Sequence, residues 1–155
     1  MKYIFRKMEK RDIASIVKGE IEVFGHSMGE DFFIQELEID PFSEFIVLEI
    51  DGNIGGYFGL LIHDTIEIMN LYVNTKYQGL GFGSIMMEFI VNLCVQTKAP
   101  ALSLEVRESN IRAINLYEKY GLKKITKRRN YYDDGEDAIL MVREFEVCEN
   151  DCIRS

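Results

Sequence analysis

The sequence predicts a mixed α/β fold: a central, twisted, mostly antiparallel sheet of six to seven strands flanked by about four helices. Three observations indicate this class. Short apolar or alternating runs, typical of strands, recur from the first residues to the last. Longer runs with apolar residues every three to four positions, typical of amphipathic helices, lie between them. A glycine-rich segment separates one strand-like run from the helix-like run that follows it.

The N-terminal half predicts one strand, two helices and a hairpin. YIFRKME is the strand, KRDIASIVKGEIEVF has the apolar rhythm of a helix, and GEDFFIQELEI is a second, shorter helix that stops before Pro41. The segment EFIVLEIDGNIGGYFGLLI then predicts two strands on either side of Asp51-Gly52-Asn53. Asp-Gly favours the tight turn of a hairpin because both residues tolerate a positive φ.

The C-terminal half alternates strands and helices. TIEIMNLYV predicts a strand, SIMMEFIVNLCVQTK a helix and ALSLEVRE another strand. NIRAINLYEKYG predicts a short helix with Asn110 as a candidate N-cap and Gly121 just past its end. KKITKRRNYY and DAILMVREFEV predict two closing strands joined by the turn DDGE.

Length and charge limit the function classes. A chain of 155 residues predicts one domain, residues 1–147, followed by a frayed tail at residues 148–155. The formal net charge of −8 argues against a general nucleic-acid binder, which needs a basic face. The basic segment KKITKRR is the local exception, and we interpret it as a solvated strand edge.

The sequence also predicts a cytoplasmic protein without a membrane partner. No apolar run approaches the roughly 20 residues of a membrane-spanning helix. The first residues, MKYIFRKMEKRD, lack the apolar core of a secretory signal.

The cysteines and histidines predict no metal site. Three cysteines (Cys94, Cys148 and Cys152) and two histidines (His26 and His63) have no metal-binding spacing. We therefore interpret the cysteines as free thiols of a reducing compartment, with a Cys148–Cys152 redox pair as the alternative to two thiols in a tail.

The glycine-rich segment YQGLGFGS carries the first functional signal. Its glycines at positions 79, 81 and 83 stand directly before a predicted helix, whose N-terminus attracts anions. Curled glycines there can aim further amides at a phosphate group. A P-loop needs Gly-Lys-Ser/Thr, and a dinucleotide site needs Gly or Ala at position 84, so neither motif fits. A merely tight turn is the structural alternative.

The spacing Gln78-x-x-Gly81-x-Gly83 resembles the signature of the GNAT superfamily of acetyl-CoA-dependent N-acetyltransferases. LEVRESNIRAINLYEKYGL and RRNYYDDGEDAILM are similar to the RimI-type ribosomal-protein alanine N-acetyltransferases. The resemblance implies acetyl-CoA in a V-shaped opening between the fourth and fifth strands, and no metal. The residues it assigns to the cofactor are Leu71, Tyr72 and Val73 (acetyl and pantetheine), Gln78, Gly79, Leu80, Gly81, Phe82, Gly83 and Ser84 (pyrophosphate loop), and Asn110. Plain strand positions and a helix cap are the structural alternatives.

The same resemblance assigns the chemistry. Glu105 alternates with the apolar residues of ALSLEVR and so points away from the core. The resemblance makes Glu105 the general base, where an exposed strand glutamate is the alternative. It makes Tyr117 the general acid for the departing thiolate, where a core aromatic is the alternative. Tyr131 and Tyr132 would line the acceptor groove.

The family's Pro-Trp-Ser-like element between the first two helices is replaced here by Ser27, Met28 and Gly29. The predicted function is transfer of an acetyl group to a protein N-terminal α-amine, first of all the N-terminal alanine of a small-subunit ribosomal protein, by direct transfer in a ternary complex. The altered loop leaves a lysine side chain or small-molecule amine as an alternative acceptor. A non-catalytic acetyl-CoA sensor is the alternative of another class.

Overall fold

A computed structural model describes residues 1–146, and this range contains seven strands and four α-helices. In chain order they are β1 (Tyr3–Lys7), α1 (Ile13–Phe24), α2 (Glu30–Ile39), β2 (Ser43–Ile50), β3 (Asn53–Ile62), β4 (Ile66–Val73), α3 (Phe82–Thr97), β5 (Ala101–Arg107), α4 (Ile111–Lys119), β6 (Lys123–Arg128) and β7 (Ala138–Glu144). This content confirms the predicted mixed α/β class. The predicted boundary at residue 147, the tail and its two cysteines lie outside the described residues.

The chain forms two compact units. Within the described residues, the N-terminal unit comprises residues 1–62 and 68–86, and the C-terminal unit comprises residues 63–67 and 87–146. The single-domain assignment stays a prediction.

The N-terminal unit is built on strands β1 to β4, which are neighbours in chain order. β1 pairs with β2 and β2 with β3, both antiparallel. The β2–β3 hairpin closes through Asp51 and Gly52, whose φ angles are 49° and 82°. Two successive positive φ angles define the primed turn that suits strand twist, so the predicted hairpin is confirmed.

Aromatic rings fill the core of the N-terminal unit. Phe33 packs edge-to-face on Phe45 and Tyr57, with ring centroids 5.6 and 5.8 Å away, and Tyr57 meets Tyr72 at 5.0 Å. The Tyr72 hydroxyl donates to the carbonyl of Ile16 at 3.1 Å, which fixes α1 on the sheet. Gly19 makes this approach possible, because a Cβ there would stand 2.3 Å from the Tyr72 hydroxyl.

The C-terminal unit contains the strand order β5-β7-β6 with antiparallel pairing. Strand β6 lies at the edge and is exposed at all six positions, which confirms the solvated basic edge. The prediction that this strand continues through Tyr132 is wrong. β6 ends at Arg128, and Asn130 turns the chain with a φ of 52°. The left-handed conformation of that asparagine ends the extended backbone.

Candidate active site

The glycine loop curls the main chain between β4 and α3. Gly79 and Gly81 have φ angles of 80° and 90°, in the left-handed region that favours glycine. A Cβ at either position would meet nothing within 4 Å. The backbone conformation, and not crowding, therefore requires these two glycines. Gly83 differs, because it lies in the first turn of α3, which begins two residues earlier than predicted.

Helix α3 starts from this loop. The amide of Ile85 donates to the carbonyl of Gly81 at 3.1 Å, which is the first hydrogen bond of the helix. The amides of the first turn have no acceptor inside a helix, and the helix dipole adds a partial positive charge there. The local geometry thus presents main-chain donors suited to a phosphate.

Three predicted cofactor residues in this region have structural contacts of their own. The Gln78 side chain donates through Nε2 to the carbonyl of Val73 at 2.9 Å and ties the loop to the end of β4. Tyr72 is 2% exposed and belongs to the aromatic core. The amide of Leu71 donates to Asn70 Oδ1 at 2.9 Å. The cofactor roles of these residues stay predictions.

The remaining side chains of the loop differ in exposure, and Ser84 is intermediate between the other two. Leu80 is 53% exposed, whereas Phe82 is buried. The Phe82 ring packs edge-to-face against Tyr3 and Tyr77, with centroids 5.9 and 6.3 Å away. Phe82 therefore anchors the start of α3 in the N-terminal unit, and any cofactor contact from it would be through its amide.

A buried carboxylate that the sequence analysis missed lies in the same unit. Glu20 is 1% exposed, and its Oε2 accepts from the Tyr57 hydroxyl and from Asn70 Nδ2, both at 2.7 Å. Burial and Glu20 together raise the pKa of Tyr57 well above its usual value. One feature of the sequence indicates this burial: Glu20 follows Ile16 by four residues and so lies on the apolar face of α1.

The other oxygen of Glu20 holds the altered loop between α1 and α2. Oε1 accepts from Ser27 Oγ at 2.6 Å and from the amide of Met28 at 3.2 Å. The amide of Gly29 donates to Ser27 Oγ at 3.0 Å. The loop that departs from the family pattern is therefore held in place by Glu20. The Ser27 hydroxyl is one of the four donors around this buried carboxylate.

In the C-terminal unit, strand β5 presents Glu105 as predicted. Its residues alternate strictly between buried and partly buried, with Leu104 and Val106 on the buried face and Glu105 on the other. The Glu105 side chain is only 17% exposed. The predicted orientation is confirmed, and the carboxylate is more enclosed than a solvated strand glutamate.

Glu105 has two polar neighbours, Tyr131 and Arg128. Burial first, and the nearby Glu105 carboxylate second, raise the pKa of Tyr131. Arg128 Nε lies 3.4 Å from Oε2. That contact is an ion pair without hydrogen-bond geometry, because Oε2 is buried and has no hydrogen-bond partner within residues 1–146.

Tyr117 lies on α4 and is 7% exposed. Burial, with a smaller effect of Tyr132, raises its pKa to about 12, so the phenol is protonated at neutral pH. Asn110 caps the same helix by accepting from the amide of Ala113 at 3.2 Å. The cap role of Asn110 is confirmed, whereas its cofactor contact stays a prediction.

Arg107 positions Tyr132, which the sequence analysis did not foresee. Its Nη1 bonds to Asp134 and Glu136, both at 2.9 Å, and its guanidinium lies 4.0 Å from the centre of the Tyr132 ring. Glu136 also accepts from the amide of Ser109 at 2.9 Å. These contacts hold the segment after β6 against the end of β5, so the two predicted acceptor tyrosines stand on a fixed loop.

Within the part of the chain that the structure describes, no three or more His, Cys, Asp or Glu side chains are grouped to hold a metal ion. In the same part, every helix is too short or too polar to cross a membrane.

Comparison with known proteins defines the class. The model of the acetyltransferase (GNAT) family matches residues 10–122. The chain therefore belongs to the GNAT family, and it is an N-acetyltransferase.

Individual relatives refine the comparison. A Bacillus subtilis (strain 168) protein, provisionally named a [ribosomal protein bS18]-alanine N-acetyltransferase, is 37% identical over 88% of this chain and 91% of its own length. An N-alpha-acetyltransferase of Sulfurisphaera tokodaii is 31% identical over 90% of this chain and 91% of its own. The crystal structure of the Escherichia coli ribosomal-protein-S18-alanine N-acetyltransferase superposes with a TM-score of 0.85 at 27% identity, covering 95% of this chain and 96% of that one.

Proposed function

We propose that the protein transfers the acetyl group of acetyl-CoA to a protein N-terminal α-amine, in the first place the N-terminal alanine of a small-subunit ribosomal protein. The observation that carries this proposal is Glu105 Oε2, a buried carboxylate oxygen that has no hydrogen-bond partner in the described chain and lies near the half-exposed Tyr131. The names of the bacterial relatives specify the same acceptor class and support the assignment.

Acetyl-CoA would supply a thioester whose carbonyl carbon an amine can attack. The main-chain amides from Gly79 to Ser84 would hold its pyrophosphate, because the two left-handed glycines and the start of α3 direct donors toward an anion. The main chain of Leu71 to Val73 would pair with the acetyl and pantetheine portion. A carbonyl group of the bound acetyl-CoA would share the Leu71 amide as its donor, because Asn70 Oδ1 already accepts from that amide. Asn110 would add a contact at the start of α4.

Glu105 would accept the proton that the nitrogen loses as it attacks. An α-amine has a pKa near 8, so roughly a tenth of it is already neutral at pH 7, whereas a lysine is almost wholly charged. A carboxylate within hydrogen-bond reach is therefore a sufficient base for an N-terminus. Its empty Oε2 gives the incoming N–H an acceptor.

Tyr117 would serve the thiolate leaving group. A thiol has a pKa near 8.5, well below the value of about 12 for Tyr117, so complete proton transfer from the phenol is uphill. A hydrogen bond from the phenol nevertheless stabilises the charge that develops on sulfur. Cys94, the cysteine within residues 1–146, is buried, and burial raises its pKa to about 11, which favours direct transfer over an acetylated thiol.

Mass spectrometry of acceptors incubated with the protein and acetyl-CoA tests the proposal. The panel contains ribosomal-type peptides beginning with alanine, other free N-termini, N-blocked peptides with one lysine, and polyamines. Acetylation of the alanine α-amine is the expected result. Products on lysine or polyamines alone would contradict the acceptor, and bound acetyl-CoA without any product would favour the sensor.

A further inference from the structure

A fixed positive charge stands beside the proposed base. Arg128 closes strand β6, and its Nε lies 3.4 Å from Glu105 Oε2. The Arg128 side chain is 51% exposed, while the carboxylate it faces is 17% exposed. The guanidinium thus enters from the solvent side, where an amine would also have to approach the carboxylate.

The tyrosines beside Glu105 carry no charge at neutral pH, because burial raises the pKa values of Tyr131 and Tyr132 above the usual tyrosine value. Glu67, also near Tyr131, is a carboxylate and adds no cation. The neighbouring cations have other partners: Lys127 bonds to Glu108 at 2.6 Å, and Arg107 bonds to Asp134 and Glu136. In the described chain, Arg128 is the cation that forms an ion pair with Glu105.

We propose that Arg128 is a specificity-determining residue whose charge disfavours acceptors that arrive as cations, so that α-amines are chosen over lysine side chains and polyamines. This inference rests on the proposed function. At pH 7 roughly one α-amine in ten is neutral, against roughly one lysine in 2,500. A site that repels the ammonium form exploits this difference, because a lysine would nearly always have to enter charged.

The contact itself leaves Arg128 able to act in this way. A half-exposed ion pair contributes little to folding, so the pair is not needed to hold β6 in place. Because Oε2 has no hydrogen bond from Arg128, a neutral amine can occupy that acceptor without breaking one. The charge stays nearby and opposes a second cation.

Matched variants test the inference. R128Q removes the charge at Glu105, R128K keeps it, and K124Q removes one charge from an exposed position of the same strand. The acceptors are a peptide beginning with alanine and the same peptide with a blocked N-terminus and one lysine. For R128Q we expect the preference in kcat/KM for the α-amine to narrow by about tenfold through faster lysine acetylation. R128K and K124Q should keep the preference within about threefold of the wild type.

A binding measurement separates charge from chemistry. A peptide with a trimethylated N-terminal alanine is a permanent cation that cannot be acetylated, and its N-acetyl counterpart is neutral. In calorimetry with CoA present, R128Q should bind the trimethylated peptide about tenfold more tightly than the wild type, with little change for the neutral one.

The two readouts distinguish the failure of each proposal. An unchanged preference in R128Q, while the wild type acetylates the alanine peptide, overturns the role of Arg128 and leaves the proposed function standing. A wild type that prefers lysine overturns both. If the wild type yields no product, the proposed function fails. Calorimetry still tests the role of Arg128 in that case: equal affinity of the wild type and R128Q for the trimethylated peptide overturns it.

Discussion

At the scale of single residues, the two proposed catalytic side chains differ in how they are held. Glu105 lies beside Tyr131 and Arg128, and its Oε2 has no hydrogen-bond partner within residues 1–146. Tyr117 is almost fully buried, so its phenol keeps its proton. One group is prepared to accept a proton and the other to donate a hydrogen bond, and each role has its own kinetic consequence.

Replacing Glu105 with glutamine should lower kcat/KM for an alanine peptide by about 100-fold, because the amide cannot accept the proton. Steady-state kinetics with a free-thiol assay measures this. S103A, on the same face of β5, is the control and should remain within about twofold of the wild type. A loss of less than about threefold in E105Q would remove Glu105 from the proton transfer.

Replacing Tyr117 with phenylalanine should lower kcat by about tenfold or more while the affinity for acetyl-CoA stays unchanged, because only a donor to the thiolate is lost. Y120F, on the same segment, is the control. With its pKa raised to about 12, Tyr117 ionises only well above neutrality, so the wild-type kcat should show no fall below pH 10 from this group. A falling limb near pH 9 that Y117F abolishes would contradict the assignment.

At the scale of elements, the caps and turns were the most predictable features. Asn110 and Gly121 bound α4 as expected, since the asparagine accepts from Ala113 and the glycine has a φ of 87°. The C-terminal end of β6 was not predictable. The run KKITKRRNYY suits a strand throughout, whereas in the structure Asn130 turns the chain with a φ of 52° and Arg107 binds the loop that follows.

The glycine loop gives the prediction that belongs to this scale. G81A should raise the KM for acetyl-CoA about tenfold with a smaller effect on kcat, because an alanine strains the left-handed backbone that aims the amides. Gly52 in the β2–β3 turn offers a matched control, because its φ is 82° and a Cβ added there would meet nothing within 4 Å. G52A should lower the free energy of unfolding about as much as G81A does. An equal rise in the KM of G52A for acetyl-CoA would show that the effect is not local to the glycine loop.

At the scale of the whole molecule, buried charge couples stability to pH. Asp12 is 3% exposed and forms a bidentate pair with Arg6, at 2.7 and 2.9 Å. It also accepts from the amide of Glu9 at 2.8 Å. The bonds from Arg6 lower the pKa of Asp12 below its usual value of 3.8 in the folded state. The unfolded chain therefore takes up this proton first as the pH falls.

The sign of the pH effect follows from this difference. Asp12 contributes fully to the free energy of unfolding above its pKa in the unfolded chain. This contribution is lost as the pH falls from about 4 through the lowered pKa of Asp12 in the folded protein. D12N should lower the free energy of unfolding by about 3 kcal/mol at pH 7, because it removes the bidentate carboxylate of a buried pair and leaves Arg6 only its contact with Glu49 at 3.3 Å. The difference in the free energy of unfolding between D12N and the wild type should be smaller at pH 3 than at pH 7, as measured by urea unfolding. D64N, at an exposed turn, should change stability by less than about 0.5 kcal/mol.

The sequence by itself determined the class of fold, the hairpin turn, the helix caps, the glycine loop and the orientation of Glu105. Each of these depends on local chemistry or on strand periodicity, which neighbouring residues specify. Only the tertiary structure decided that Glu20 is buried with four donors around it, that Arg128 faces Glu105, and that Arg107 fixes Tyr132. These contacts join residues far apart in the chain, and a polar side chain in a periodic pattern does not specify its partner. Burial and pairing depend on which elements pack together, and the sequence alone does not specify that packing.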